Sequence, residues 1–245
     1  MRPRVLVLSH VDPTGKHGMA PDLRAIDAMG ASPLPVATGI TIGNPSAPER
    51  LDPVPLRALR RMLDAALDEE PLAAVIGLVP RRRHLRAIAR GLAELGPPTI
   101  VLAPLHLEFD ARPLLGRGTL AAVVAQLIPE ATAVVIPALF SSTIVDLADD
   151  SLGSVKAAGQ QLLETGARSA WLRAASHEGR SIDVFTDGTG AGLLDYPKPN
   201  PEAEPSAAAA ALAGQLAIGT ALRLAVDRAH RYACALDRAP HRVLA

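Results

Sequence analysis

Aromatic side chains are nearly absent from this chain: they make up 2% of its residues, although 49% are hydrophobic. Its core must therefore interlock Leu, Val, Ile and Ala instead of stacking rings. A single cysteine, Cys234, excludes a disulfide within the chain and suits a reducing compartment. No apolar run approaches the ~20 residues of a membrane-spanning helix. The start, M-R-P-R-V-L-V-L-S-H, is interrupted by polar residues before it can form a secretory signal. Net charge is absent too, since 25 Lys and Arg balance 25 Asp and Glu. That removes the basic footprint of a nucleic-acid or anionic-membrane binder. A cytoplasmic protein is expected, with Cys234 as a small core residue and Trp171 as its single indole probe.

What is present is an alternation of short β-type runs and helical stretches over 245 residues. Strands are predicted at 5–8, 34–38, 73–78, 99–103 and 132–136, then at 169–174, 182–186 and 193–196 with short turns between the last three. Helices are predicted at 19–29, 54–67, 84–95, 120–127, 154–164, 207–216 and 221–236. The stripe Leu56, Leu59, Leu63, Leu67 carries the second of these. Strands alternating with helices of this length imply a mostly parallel sheet covered on both faces, and the last three strands imply an antiparallel edge. The expectation is a single domain spanning residues 1–245, a three-layer α/β/α sandwich. Ligands of such sheets bind beyond the carboxyl ends of the strands, which directs attention to the loops after residues 8, 38, 78, 103, 136 and 196.

The first of those loops is D-P-T-G-K-H-G, Asp12 to Gly18, running into M-A-P-D-L-R. Gly15 and Gly18 permit left-handed or close backbone approaches, and a helix starting near Gly18 offers free N–H groups. Gly-Lys here is not a phosphate-binding P-loop, because His10 and His17 occupy the positions that motif reserves for Gly and Ser or Thr. Asp22 also has a structural reading, as an acid that favours the first helical turn. The run Arg81, Arg82, Arg83, His84 reads as a solvated helix start or as a phosphate or partner patch.

The opening segment resembles that of the hydroxymethylpyrimidine and phosphomethylpyrimidine kinases of thiamine synthesis, ribokinase-like enzymes whose loop reads D-P-S-G-G-A-G. Asp12, Pro13, Gly15, Gly18, Asp22, Leu23 and Gly30 match in register. The segment P-V-A-T-G-I-T-I-G-N, Pro35 to Asn44, is similar to the family's V-I-T-A-L-T-A-Q-N, matching at Thr38 and Asn44. The resemblance implies a pyrimidine site formed by Asp12, Asp22, Thr38, Gly43 and Asn44, with Asp22 bonding the aminopyrimidine. Gly43 stands where the family has a glutamine. W-L-R-A-A-S-H resembles V-L-V-K-G-G-H and puts Arg173 at a lysine position tied to the nucleotide.

Other family groups are replaced. Ala103, Ala138 and Ser141 stand where the family carries aspartate, asparagine and glutamate, the oxygens that organise Mg²⁺. Ala203, Glu204 and Pro205 stand on the glycine-rich anion hole, and Ser206 on the catalytic base. Pro205 lacks an N–H, and Glu204 adds negative charge where negative charge must develop. Ser206 reads as the N-cap of the helix 207–216. The expectation is a family member impaired or inactive in phosphoryl transfer, a pseudokinase that binds or responds to a pyrimidine-type ligand, with no cofactor assigned to it. The alternative is an active kinase using ATP and Mg²⁺ with unusual catalytic residues. A homo-oligomer is expected, without nucleic-acid or membrane partners.

Overall fold

The computed structural model describes residues 1–44, 47–95, 97, 99–103, 108–109, 112–113, 117–138, 144–145, 149, 151–178, 180–196 and 205–238. Ser141, Ala203 and Glu204 lie outside these residues, as do the side chains of Asn44 and Ser206.

Strand β1 (Arg4–Val11) lies in the interior of the sheet. Its residues are buried on both faces: Leu6 and Leu8 enter one hydrophobic core, Val5 and Val7 the other. A run without polar alternation is what a strand sandwiched between two helix layers requires. Helix α1 (Met19–Ala28) follows, then β2 (Ser32–Asn44), β3 (Ala47–Pro53), α2 (Leu56–Leu67), β4 (Ala73–Ile76), α3 (Arg82–Leu95) and β5 (Ile100–Leu102). The short strands β6 (Glu108–Phe109) and β7 (Arg112–Pro113) pair only with each other. After them come α4 (Arg117–Gln126), β8 (Ala133–Pro137), α5 (Leu152–Glu164), β9 (Ala170–His177), β10 (Arg180–Thr186), β11 (Ala191–Tyr196), α6 (Pro205–Ala217) and α7 (Leu222–Arg238).

Nine strands form one sheet in the order β11-β10-β9-β8-β5-β4-β1-β2-β3. The six from β9 to β2 are parallel neighbours, while β10, β11 and β3 join antiparallel. Residues of α2, α3, α4 and α5 build the core on one face, and residues of α1, α6 and α7 the core on the other. This is the mostly parallel α/β/α sandwich the sequence implies.

Three expectations change. The strand expected at 34–38 runs on to Asn44 and turns back as β3, a hairpin that overhangs the parallel sheet. Cys234 is only partly buried, on α7 beside His230. The helix expected from residue 207 begins at Pro205, so Ser206 is inside its first turn and is not its N-cap. A proline at the first helical position costs no hydrogen bond, because that N–H has no partner within the helix in any case.

Helix α6 also explains how the fold manages with so few aromatics. All residues from Ala207 to Ala213 are buried, so the helix is apolar all round and embedded. Its small side chains let it approach α1 closely: a Cβ on Gly214 would fall 2.9 Å from Cβ of Met29. Met29 caps the far end of α1, so α1 and α6 run side by side in the same direction. Both begin at the carboxyl edge of the sheet.

Candidate functional site

The loop after β1 is organised by one carboxylate. Asp12 is buried, and its Oδ1 accepts from the Thr14 N–H at 2.9 Å. Its Oδ2 accepts from Thr14 Oγ1 at 2.8 Å and from the N–H groups of Lys16 and His17 at 3.1 and 2.9 Å. Burial pushes this carboxyl up, but the bonds from Thr14 and His17, with the charge of His17, outweigh it and hold the group below its ordinary value. Asp12 therefore folds the loop, with both oxygens committed.

Gly18 closes the loop at φ 63° and bridges to Val11. A side chain there would collide with His10, whose ring lies 2.7 Å from the Cβ position, so only glycine fits. Four residues on, Asp22 is completely buried in the first turn of α1. A carboxylate removed from water needs compensation, and the positive end of α1 supplies part of it. Thr38, at the carboxyl end of the parallel part of β2, is completely buried and donates from Oγ1 to the carbonyl of Leu78 at 2.6 Å. That bond ties β2 to the loop after β4.

Of the residues assigned by resemblance to a pyrimidine, Asp12, Asp22 and Thr38 thus gather at the ends of β1 and β2. Gly43 and Asn44 do not join them. They lie on the overhanging hairpin, three and four residues past the last β1–β2 pair at Ile40, or about 10–13 Å further out. Gly43, at φ 103°, marks an irregularity in the β2–β3 pairing. Two groups escaped the sequence reading: Ser9 Oγ and Thr41 Oγ1 are buried without a hydrogen-bond partner among the described residues. Both fall in segments the sequence had singled out, the end of β1 and the run 35–44.

Arg173 lies elsewhere. Strand β9 is four places from β1 in the sheet, about 19 Å away. Its guanidinium is buried, with Nε 3.4 Å from Asp183 Oδ2 and Cζ 5.7 Å from the Trp171 ring centre. The same oxygen accepts from Trp171 Nε1 at 3.0 Å and faces His230 Nδ1 at 3.1 Å. His230 Nε2 reaches the Asp195 carbonyl at 3.0 Å. This cluster fastens α7 across β9, β10 and β11. Beside it, between β11 and α7, opens a cavity of about 610 Å³ with Leu194, Asp195, Asp227 and His230 among its walls. Arg173 therefore holds the sheet together at this edge and is 5% exposed, which leaves little of it for a ligand.

Between the two regions stands α6. It packs on β1, β4, β5 and β8, with its first turn at the carboxyl edge. The N–H groups of Ser206 and Ala207 belong to that turn and have no partner within the helix. Pro205 gives up only a donor that precedes them. Pro205 lacks an N–H, but the helix it opens keeps its positive dipole end at the carboxyl edge. Ala103 and Ala138 are buried at the ends of β5 and β8, and among the described residues no group of three His, Cys, Asp or Glu could hold a metal ion.

Comparison with known proteins agrees with this layout. The family model described as phosphomethylpyrimidine kinase matches residues 12–242. The thiamine biosynthesis bifunctional protein ThiED of Geobacter sulfurreducens is 28% identical over 244 residues, 97% of this chain. The chain spans about half of that relative's length, 49%. A hydroxymethylpyrimidine/phosphomethylpyrimidine kinase of Rhizobium meliloti is 28% identical over 188 residues, covering 75% of this chain and 70% of that protein. Among solved structures, pyridoxal kinase from Staphylococcus aureus in complex with AMP-PCP superposes with a TM-score of 0.86 at 20% identity, over 95% of this chain and 87% of that one. No helix among the described residues is long and apolar enough to cross a membrane.

Proposed function

The chain belongs to the phosphomethylpyrimidine kinase family, and on that premise we propose that it is an ATP-dependent kinase of the pyrimidine branch of thiamine synthesis. Its acceptor would be hydroxymethylpyrimidine or its monophosphate. The observation that carries the reading is the place of α6: its first turn stands at the carboxyl edge between the Asp12–Asp22–Thr38 region and the β9–β11 edge. Acceptor, transferring phosphoryl group and nucleotide would then lie in line across the sheet. The acceptor binds beside β1 and β2, and the base of the nucleotide lies toward the cavity between β11 and α7. The loop held by Asp12 orients the acceptor, and the N–H groups at the start of α6 face the charge that develops on the phosphoryl oxygens.

Phosphoryl transfer asks little covalent chemistry of the protein, because positioning and charge stabilisation supply most of the catalysis. The lack of a strong base at Ser206 is compatible with this. Mg²⁺ would enter with the nucleotide. The described residues hold no group of three His, Cys, Asp or Glu that would bind it.

A second reading has one observation in its favour: Ala103 and Ala138 are buried at the strand ends without an oxygen to offer. On that reading the chain binds the pyrimidine without phosphorylating it. A coupled assay with ATP, Mg²⁺ and hydroxymethylpyrimidine separates the two. ADP release that depends on the pyrimidine is the expected result. No turnover, with the pyrimidine still bound in a thermal-shift assay, would select the second reading.

A further inference from the structure

Charge on this protein balances overall but not locally. Helix α2 exposes Arg57, Arg60 and Arg61 in its first two turns. Arg81, Arg82, Arg83 and Arg86 are exposed at the start of α3. None of these seven forms an ion pair with a described residue; the nearby pairs involve Arg50 with Asp52 and Arg90 with Glu94.

The two helix starts are locked together. His84, completely buried in the first turn of α3, donates from Nε2 to the carbonyl of Val54 just before α2, at 2.7 Å. Its Nδ1 has no partner among the described residues. Burial lowers the pKa of His84, and the charges of Arg83 and Arg81 lower it further, against the pull of the Val54 bond. The arginines thus create a positive field that a neighbouring group feels.

This arrangement runs against helix stability. Positive charge is unfavourable at a helix N-terminus and favourable at the C-terminus. Neither helix has an acid in its first turn or a base in its last. On α2 the acids Asp64 and Asp68 fall at the wrong end as well. A local rule broken on two adjacent helices, with no compensating ion pair, points to a use outside the fold.

The location indicates the use. Both helix starts lie at the carboxyl edge, and Leu78, which receives the Thr38 hydroxyl, is three residues before Arg81. Gly39, next to Thr38, lies with its Cβ position 3.3 Å from Pro80. The arginines therefore rim the acceptor side of the crevice.

We infer that this arginine collar is a binding surface for the phosphorylated form of the pyrimidine, drawing in and holding a small phosphate ester near the acceptor site. The inference rests on the kinase reading for the identity of the pyrimidine, but not for the existence of the anion site. A surface of one sign beside a cleft raises the local concentration of its counter-ions, and salt screens the effect.

The test is calorimetric titration of the full chain with hydroxymethylpyrimidine, its monophosphate and inorganic pyrophosphate, at roughly 20 and 300 mM NaCl. The monophosphate and pyrophosphate are expected to weaken about tenfold at the higher salt, the uncharged pyrimidine by less than about twofold. Arg81→Glu/Arg82→Glu/Arg83→Glu is expected to cost about tenfold for both anions at low salt and to spare the uncharged pyrimidine. Its melting temperature should rise by about 1–3 °C, because acids suit a helix start. Arg57→Glu/Arg60→Glu, on the other helix, should act in the same direction and stands in if the triple variant does not fold. Anion affinities that ignore both salt and charge reversal would overturn the collar, as would an equal loss for the uncharged pyrimidine. If neither pyrimidine binds the native chain while pyrophosphate still responds to charge reversal, the kinase reading fails and the collar stands.

Discussion

Trp171 and Asp183 meet across neighbouring antiparallel strands, with the indole N–H 3.0 Å from a carboxylate oxygen that also faces Arg173 and His230. Asp183 is completely buried. One acid thus compensates a guanidinium and orients an imidazole in a place that water does not reach. Removing it takes away the buried acceptor that these donors share, the costly case for an internal charge pair. Asp183→Ala is expected to destabilise the protein by about 3–5 kcal/mol. Urea unfolding followed by Trp171 emission measures this, since that indole is the only one in the chain and is buried. A loss under about 1 kcal/mol would mean that the cluster is not the clasp described.

Asp187 gives a signal in acid. Its bidentate contact with Arg223, at 2.7 and 2.9 Å, and its bonds from Thr189 overcome partial burial and lower its pKa to about 2. A carboxyl depressed in the folded state stabilises fully above its unfolded value near 4 and stops doing so as pH falls toward 2. Arg223 is half exposed, so solvent screening keeps the contribution of the pair small. Asp187→Asn should lower the melting temperature modestly at neutral pH and flatten its dependence on pH between roughly 4 and 2, so that the variant and the parent converge at the acid end. An unaltered slope would remove Asp187 from the acid response.

The start of α6 can be tested by backbone chemistry alone. Ser206→Ala keeps the N–H and is expected to retain activity within about tenfold, less than the loss of a working general base would cost. Ser206→Pro deletes that N–H in a turn where helices tolerate proline. It should lower kcat by about 10²–10³ with the fold intact by circular dichroism. Equal, severe losses in both variants would return the chemistry to the hydroxyl.

The sequence made the central architecture legible because buried parallel strands are short apolar runs, and β1, β4 and β8 are of that kind. It hid β3, A-P-E-R-L-D-P, because two prolines and three charges obscure any alternation of polar and apolar residues. The start of α6 was misplaced because Pro205 reads as a stop signal in a chain and acts as a first helical residue in the fold. Asp12 and Asp22 were correctly located at the carboxyl edge, but nothing in D-P-T-G told that Asp12 spends both oxygens on its own loop. The Asp183–His230 contact joins residues 47 apart, a separation at which no local pattern operates. Arg173 could be placed on its strand, but not paired, for the same reason.

Helix α6 combines two kinds of amide in thirteen residues. From its second turn onward the N–H groups are hydrogen-bonded within the helix and enclosed on every side by other elements, so deuterium should reach them only when the whole protein opens. Those of Ser206 and Ala207 lack that bond and should exchange early. A phosphate seated there would slow the early amides and leave the late ones unchanged. The occupancy of the anion site is thereby written into the exchange pattern of a single peptide fragment, whether or not any phosphoryl group is ever transferred.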